Sequence, residues 1–486
     1  MSSSSSSVTA EDQIHTHTHT SMGSAEIEPM GRCHVVALPY PGRGHINPLI
    51  NLCKLLVSRS SDDLLITFVV TEEWLSFIGS EPKPANIRFR TIPNVLPSEL
   101  VRSADMPSFI DAVLTKMEEP FEQLLDRLEQ PPSLIMADVF VPCAVNVGKR
   151  RNIPVAAICP TSVSVFSVFY HFDLLVHNQH YPFDVSERGD ERVGYIPGIS
   201  SIRLVDLPTI FYESEQLLYN AVEMISHVDK AQFLLFTSIF ELEAHVFNAL
   251  KAKMPIPMYS FGPLIPHFTL GDGASDQMAS HNDTNYHKWL DSQPQGSVLY
   301  ISMGSFLSVS SAQMDEIAAG LRASGLRFLW VACGEASRLT EACGDAGMVV
   351  PWCDQLKVLC HSSVGGFWSH CGWNSTMESV FAGVPMLTFP LLMDQVPISK
   401  TIVEDWRIGW RVMKREGRME NLVGREEIAD LVRRFMDLES AERQEMTRRA
   451  RELQKISRQA MVKGGSSEVN LSAFVRVISQ LTRTLS

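Results

Sequence analysis

The sequence predicts an α/β chain of two parallel-sheet domains facing a cleft. Three observations point to it. The chain has 486 residues, too many for one typical domain. Short apolar, β-branched runs alternate with helical patterns, and this alternation occurs twice. Between the two series, residues 265–285 are rich in Gly, Asp, Ser, His and Asn with little apolar content, the composition of a linker.

Taken in order, residues 1–30 are Ser-rich, with His15, His17 and His19 alternating with Thr. They carry no core-forming pattern and read as a disordered, solvated tail rather than a metal site. The first domain, 31–264, opens on the strand 33–38. A loop ending in Gly44-His45 and an amphipathic helix over 46–59 follow, with Pro48 tolerated in the first turn. Further strands are predicted at 65–70, 134–137, 155–159 and 233–236. The second domain, 286–465, has strands at 298–303, 328–332, 348–350, 364–368 and 386–389. Residues 466–486 form a last helix. In open parallel sheets, ligands bind beyond the carboxyl ends of the strands.

Composition narrows the function. Hydrophobic residues make up 45% and charged residues 20%, as in a soluble globular protein. The net charge of −13, without a basic tract, argues against nucleic acid or an anionic membrane as partner. Any site for an anionic ligand must therefore be locally positive. The cysteines (33, 53, 143, 159, 333, 343, 353, 360 and 371) are scattered and odd in number, and none forms C-x-x-C. Free thiols in a reducing compartment are expected, not disulfides or zinc. With no membrane-length apolar run and no secretory leader pattern, a cytoplasmic protein is expected.

The most informative stretch is 352–395. Its apolar run Val364-Gly365-Gly366-Phe367-Trp368-Ser369 ends in His370-Cys371-Gly372-Trp373-Asn374-Ser375, and a helical pattern follows. A strand, a tight turn and a helix N-terminus offer backbone N–H groups and partial positive charge to a phosphate or diphosphate. Asn374 and Ser375 can cap that helix or donate to the anion, and His370 can donate as well. Alone, this would be an ordinary strand–turn–helix of an α/β core.

From end to end, however, the stretch resembles the donor-site signature of plant family-1 UDP-sugar glycosyltransferases. It matches at Trp352, Gln355, His361, Gly366, His370, Gly372, Trp373, Asn374, Ser375, Glu378, Gly383, Pro385, Pro390, Asp394 and Gln395, among others. The resemblance implies the GT-B fold, two Rossmann-like domains with the last helix crossing back onto the first. It also implies a role for each matching residue. Trp352 would stack on uracil, and Cys353 would offer backbone groups to its edge. Gln355 and Glu378 would bond the ribose hydroxyls. Ser305 would join His370, Asn374 and Ser375 at the diphosphate, with Gly372 another residue of the donor site. Trp373, Asp394 and Gln395 would contact the sugar, with Gln395 and Trp373 of the glucose-preferring type. Gly44-His45-Ile46-Asn47-Pro48 resembles the family's catalytic-histidine motif, and Asp138 matches its second catalytic residue. His45 would be the general base for an acceptor hydroxyl, and Asp138 would fix its tautomer. The plainer roles are a helix-start histidine and a helix-capping Asp. One departure is Trp352-Cys353-Asp354-Gln355 in place of the usual Trp-Ala-Pro-Gln, which restores a backbone N–H at 354.

The expected activity is inverting transfer of a sugar, glucose above others, from UDP-sugar to a hydroxyl of a small, largely apolar acceptor. Phenolics, flavonoids, terpenoids and hormones would fit. No metal and no cofactor beyond the UDP-sugar co-substrate is expected, and the chain is expected to be a monomer. The stretches 162–175 and 202–218, with Phe166, Phe169, Tyr170, Phe172, Phe211 and Tyr212, are candidate acceptor loops. Rival readings are a UDP-sugar epimerase of the same fold, which would need no acceptor pocket, and a non-catalytic UDP-sugar-binding protein, against which the presence of both His45 and Asp138 weighs. A nicotinamide oxidoreductase lacks its glycine pattern, because the first turn reads Gly42-Arg43-Gly44-His45.

Overall fold

In the computed structural model, the described residues are 33–60, 64–80, 83–102, 105–266, 281–304, 309–412 and 422–485. They build two sheets. In chain order the first holds β1 (Cys33–Leu38), β2 (Leu64–Thr71), β3 (Ile87–Ile92), β4 (Leu134–Asp138) and β5 (Val155–Cys159). A short antiparallel pair, β6 (Arg192–Val193) and β7 (Ile202–Arg203), stands apart, and β8 (Phe233–Phe236) and β9 (Met258–Ser260) complete the first sheet. The second sheet holds β10 (Val298–Ser302), β11 (Arg327–Val331), β12 (Met348–Val350), β13 (Val364–Ser369), β14 (Met386–Thr388) and β15 (Gly409–Arg411).

The strand orders are β3-β2-β1-β4-β5-β8-β9 and β12-β11-β10-β13-β14-β15. Every pairing within them is parallel. Parallel sheets are covered on both faces, so their central strands carry uninterrupted apolar runs. Val35, Val36, Leu134, Ile135, Leu299, Ile301, Phe367 and Trp368 are accordingly fully buried. The chain order reverses between β1 and β4 in one sheet and between β10 and β13 in the other. Each reversal opens a crevice at the strands' carboxyl ends.

The helix Ser466–Leu485 lies against the first sheet. The Phe474 ring meets Phe233, Tyr259 and Phe261 at 5.9, 5.4 and 5.6 Å. Ser467 donates to the Gly262 carbonyl, and Asn470 Nδ2 donates to Ser260 O at 3.0 Å.

Several elements differ from the sequence expectation. β3, β9 and β15 were not anticipated. β3 is an edge strand whose Arg88 and Arg90 interrupt the apolar run, and the other two are three residues long. The first helix is Arg43–Arg59, so His45 sits inside its first turn. The helix His281–Asp291 begins within the stretch expected to be linker. The rest of that stretch over 267–280, and the tail 1–30, lie outside the described residues. The supposed loops at 162–175 and 202–218 contain the helices Val163–Tyr170, Phe172–His177 and Ile210–Glu213. Their Phe166, Phe169, Phe172 and Phe211 are buried in one core cluster. No disulfide occurs among the described residues, and no helix there is long and apolar enough to cross a membrane.

Candidate active site

The first crevice brings His45 and Asp138 together. β1 ends at Leu38, the turn Pro39–Gly42 follows, and the helix from Arg43 presents His45. Asp138 is the last residue of the adjacent strand β4. The His45 Nδ1 lies 2.8 Å from Asp138 Oδ2. A carboxylate only accepts, so Nδ1 carries the proton and Nε2 is left as the basic nitrogen. The other carboxylate oxygen, Oδ1, accepts the Phe140 N–H at 2.9 Å. Asp138 is 1% exposed and His45 27% exposed, so the imidazole is the member of the pair open to a ligand. Tyr40 and Phe140 flank its ring at 4.8 and 5.9 Å, and Phe109 stands behind Tyr40 at 5.9 Å. The sequence reading missed these aromatics, which come from three separate segments.

The second crevice is built by β10 and β13. Gly304, just past β10, has φ +84°, and a Cβ there would stand 2.6 Å from His370 Nε2. Gly372 faces the same ring, at 2.5 Å from its would-be Cβ. His370 is thus wedged between two glycine turns. Burial holds its imidazole well below the usual range, at about 4, so it is neutral at physiological pH. A hydrogen bond with the Ser302 backbone pulls the other way. Cys371 takes φ +69°, a rare conformation for a side-chain-bearing residue, and the helix Trp373–Ala382 follows at once. The N-cap is Gly372 and makes no side-chain cap bond, so the capping expected of Asn374 and Ser375 is absent. Asn374 Nδ2 instead donates to Gly44 O at 2.8 Å, across the cleft and next to His45.

Further along that helix, Gln355 Nε2 donates to Glu378 Oε2 at 2.5 Å and to Ser375 Oγ at 2.8 Å. Burial pushes the Glu378 carboxyl up to about 7, and the Gln355 bond opposes the shift. Trp352 is 62% exposed beside them. Cys353 is buried, its Sγ 3.4 Å from the Tyr300 hydroxyl. Asp394 accepts the Thr161 hydroxyl at 2.6 Å, a second bond across the cleft. Burial raises its carboxyl above the usual range, and the Thr161 bond pulls the other way. Gln395 uses its Oε1 to accept the N–H groups of Leu391 and Leu392, at 2.8 and 3.3 Å, which leaves its amide N–H groups as donors. The Trp373 ring is buried and lies 6.2 Å from Trp406. Ser305 lies outside the described residues. No cluster of potential metal ligands occurs among the described residues.

Residues 123–420 match the family described as UDP-glucoronosyl and UDP-glucosyl transferase. UDP-glycosyltransferase 87A2 of Arabidopsis thaliana is 54% identical over 452 residues, which is 92% of this chain and 97% of that protein. The structure of a Medicago truncatula UGT complexed with UDP-glucose superposes with a TM-score of 0.78 at 26% identity, covering 93% of this chain and 98% of the other. Phytolacca americana UGT2, complexed with UDP-2fluoro-glucose and pterostilbene, superposes with a TM-score of 0.73 at 26% identity over 92% and 100% of the two chains.

Proposed function

This chain belongs to the plant family-1 UDP-glycosyltransferases, GT-B enzymes that use a UDP-sugar donor, and from that premise we propose that it transfers glucose, with inversion, to a hydroxyl of a small aromatic or otherwise apolar acceptor. The observation that supports this most is the His45–Asp138 pair at 2.8 Å, facing donor-site residues close enough for Asn374 to bond Gly44. The acceptor oxygen attacks the anomeric carbon, the carbon–oxygen bond to UDP breaks, and the acceptor proton passes to His45 Nε2. Asp138 stabilises the imidazolium that forms. Negative charge gathering on the departing UDP meets the N-terminus of the helix Trp373–Ala382 and the donors Asn374 and Ser375. Trp352 stacks the base, Gln355 and Glu378 hold the ribose, and Trp373, Asp394 and Gln395 contact the sugar. The aromatic rings of Tyr40 and Phe140 beside His45 favour an acceptor with an apolar or aromatic face, as in the complex with pterostilbene.

Replacement of the base tests the reading. His45→Ala is expected to lower kcat by about 10²- to 10⁴-fold while the Kd for UDP stays unchanged. Near-full turnover in His45→Ala would overturn the assignment.

A further inference from the structure

We propose that Tyr286 and Tyr300 are positioning residues for uridine recognition, their buried hydroxyls holding the loop 352–355 and the amide of Gln355 in the binding arrangement. The inference rests on the reading that Gln355 and Glu378 hold the ribose. Within this loop the Asp354 Oδ1 caps the next helix by accepting the Lys357 N–H at 3.2 Å, so what remains to be held is the loop's attachment to the rest of the domain. The Trp352 side chain is largely exposed, and the helix that follows, Gln355–Leu359, is five residues long.

Tyr286, on the helix His281–Asp291, is 1% exposed, and its hydroxyl accepts the Asp354 N–H at 3.1 Å. Asp354 has φ −74°, a value that proline's ring would impose. A proline there would fix this backbone angle covalently but would have no N–H to donate. In this chain the same backbone conformation is held by a hydrogen bond to Tyr286.

Tyr300, on β10, is also 1% exposed, and its ring stacks on Phe367 at 5.1 Å and 21°. Its hydroxyl donates to Gln355 Oε1 at 3.1 Å. That bond holds the far end of the amide in place, and the Glu378 carboxylate, an acceptor only, selects the nitrogen at the near end. With Oε1 held by Tyr300, Nε2 is turned to Glu378 Oε2 and Ser375 Oγ. A flipped amide would set oxygen against the Glu378 carboxylate and lose that bond, because a carboxylate only accepts, while the Tyr300 hydroxyl can accept as well as donate. Tyr300 is therefore the far end of a chain, Tyr300–Gln355–Glu378, whose near end meets the ribose. Removing a hydroxyl that orients the chain should be felt as a loss of ribose reading, not as a general loss of fold.

The test compares the Kd of UDP with that of 2′,3′-dideoxy-UDP, which lacks both ribose hydroxyls, by calorimetry on the full chain. Tyr300→Phe keeps the stack on Phe367 and is expected to reduce the preference for UDP by roughly 2- to 13-fold, the worth of one neutral hydrogen bond. Tyr286→Phe is expected to weaken both nucleotides equally, and this effect should vanish in an Asp354→Pro background, where no N–H exists to be held. The proposal is overturned if Tyr300→Phe leaves the preference intact while Glu378→Ala lowers it. It is equally overturned if Tyr286→Phe costs as much with Asp354→Pro as without it. Should Glu378→Ala itself leave the preference unchanged, the ribose reading fails, and the proposal with it. If Tyr300→Phe loses its thermal transition, the Tyr286 and Asp354 cycle decides alone.

Discussion

Asp138 divides its two oxygens between the His45 ring and the Phe140 N–H, and this division makes the carboxylate irreplaceable by its amide. In Asp138→Asn the single oxygen would remain on the Phe140 N–H, so the amide nitrogen would face His45 Nδ1. That would force the proton to Nε2, the nitrogen that must accept one from the acceptor. Asp138→Asn is therefore expected to keep its melting temperature and lose turnover by a factor approaching that of His45→Ala. Equal activity in the two proteins would mean that Asp138 is only a backbone cap. Glu378 gives a pH dependence of definite sign. Its carboxyl is raised from 4.5 to about 7 by burial, so in the nucleotide-free protein the stability it contributes below about 4.5 is lost as pH rises through 7. On the proposed reading that ribose hydroxyls donate to the charged form, UDP affinity should rise over the same window. Thermal shifts from pH 5 to 8, with and without UDP, should show the two opposite slopes, and Glu378→Gln should flatten both.

At the scale of elements, the donor crevice depends on how tightly two strand ends approach one imidazole. Gly304 has both a left-handed φ and no room for a Cβ against His370. Gly304→Ala is expected to destabilise the protein by about 1 kcal/mol or more and to weaken UDP binding, because the added methyl must displace the ring. Unchanged UDP affinity would show that His370 has space to yield. This crevice was legible in the sequence, because its strand, turn and helix run consecutively from Val364 to Ala382 and each residue type fits one task. His45 and Asp138 were marked by the resemblance of Gly44-His45-Ile46-Asn47-Pro48 and of Asp138 to the family's pattern, and the two side chains stand 2.8 Å apart. Tyr286 and Tyr300 were not, because their partners lie 68 and 55 positions away and nothing local marks a tyrosine as holding a distant loop. The aromatic stretches expected to read the acceptor were legible only as apolar, and their helices were not foreseen. Phe166 and Phe211 suit an apolar ligand, but they suit a core equally, and the helices around them bury them.

Over the whole molecule, polar contacts join the two halves, two of them from the candidate active site. Asn374 bonds Gly44 and Asp394 bonds Thr161, while Arg411 pairs with the buried Asp206 at 3.0 Å and Met393 N–H with Thr209 Oγ1 at 2.9 Å. Donor-side and acceptor-side geometry are therefore linked without a covalent hinge at the site. The first sheet also depends on a segment remote in sequence. Phe474 is fully buried against Phe233, Tyr259 and Phe261, in a core cluster that the helix Arg43–Arg59 also lines. Phe474→Ala is expected to cost about 3–5 kcal/mol, read by chemical denaturation, while sparing UDP affinity in the protein that stays folded. A cost below about 1 kcal/mol would mean that the helix is only loosely seated. The same docking sets a timetable for biosynthesis. Roughly 200 residues separate Ser260 from Ser466, which at about 5–20 residues per second is on the order of 10–40 s of translation. Throughout that interval the nascent first domain presents an uncovered aromatic face on the ribosome, so its exposure to chaperones and to aggregation is governed by how fast the second half is made.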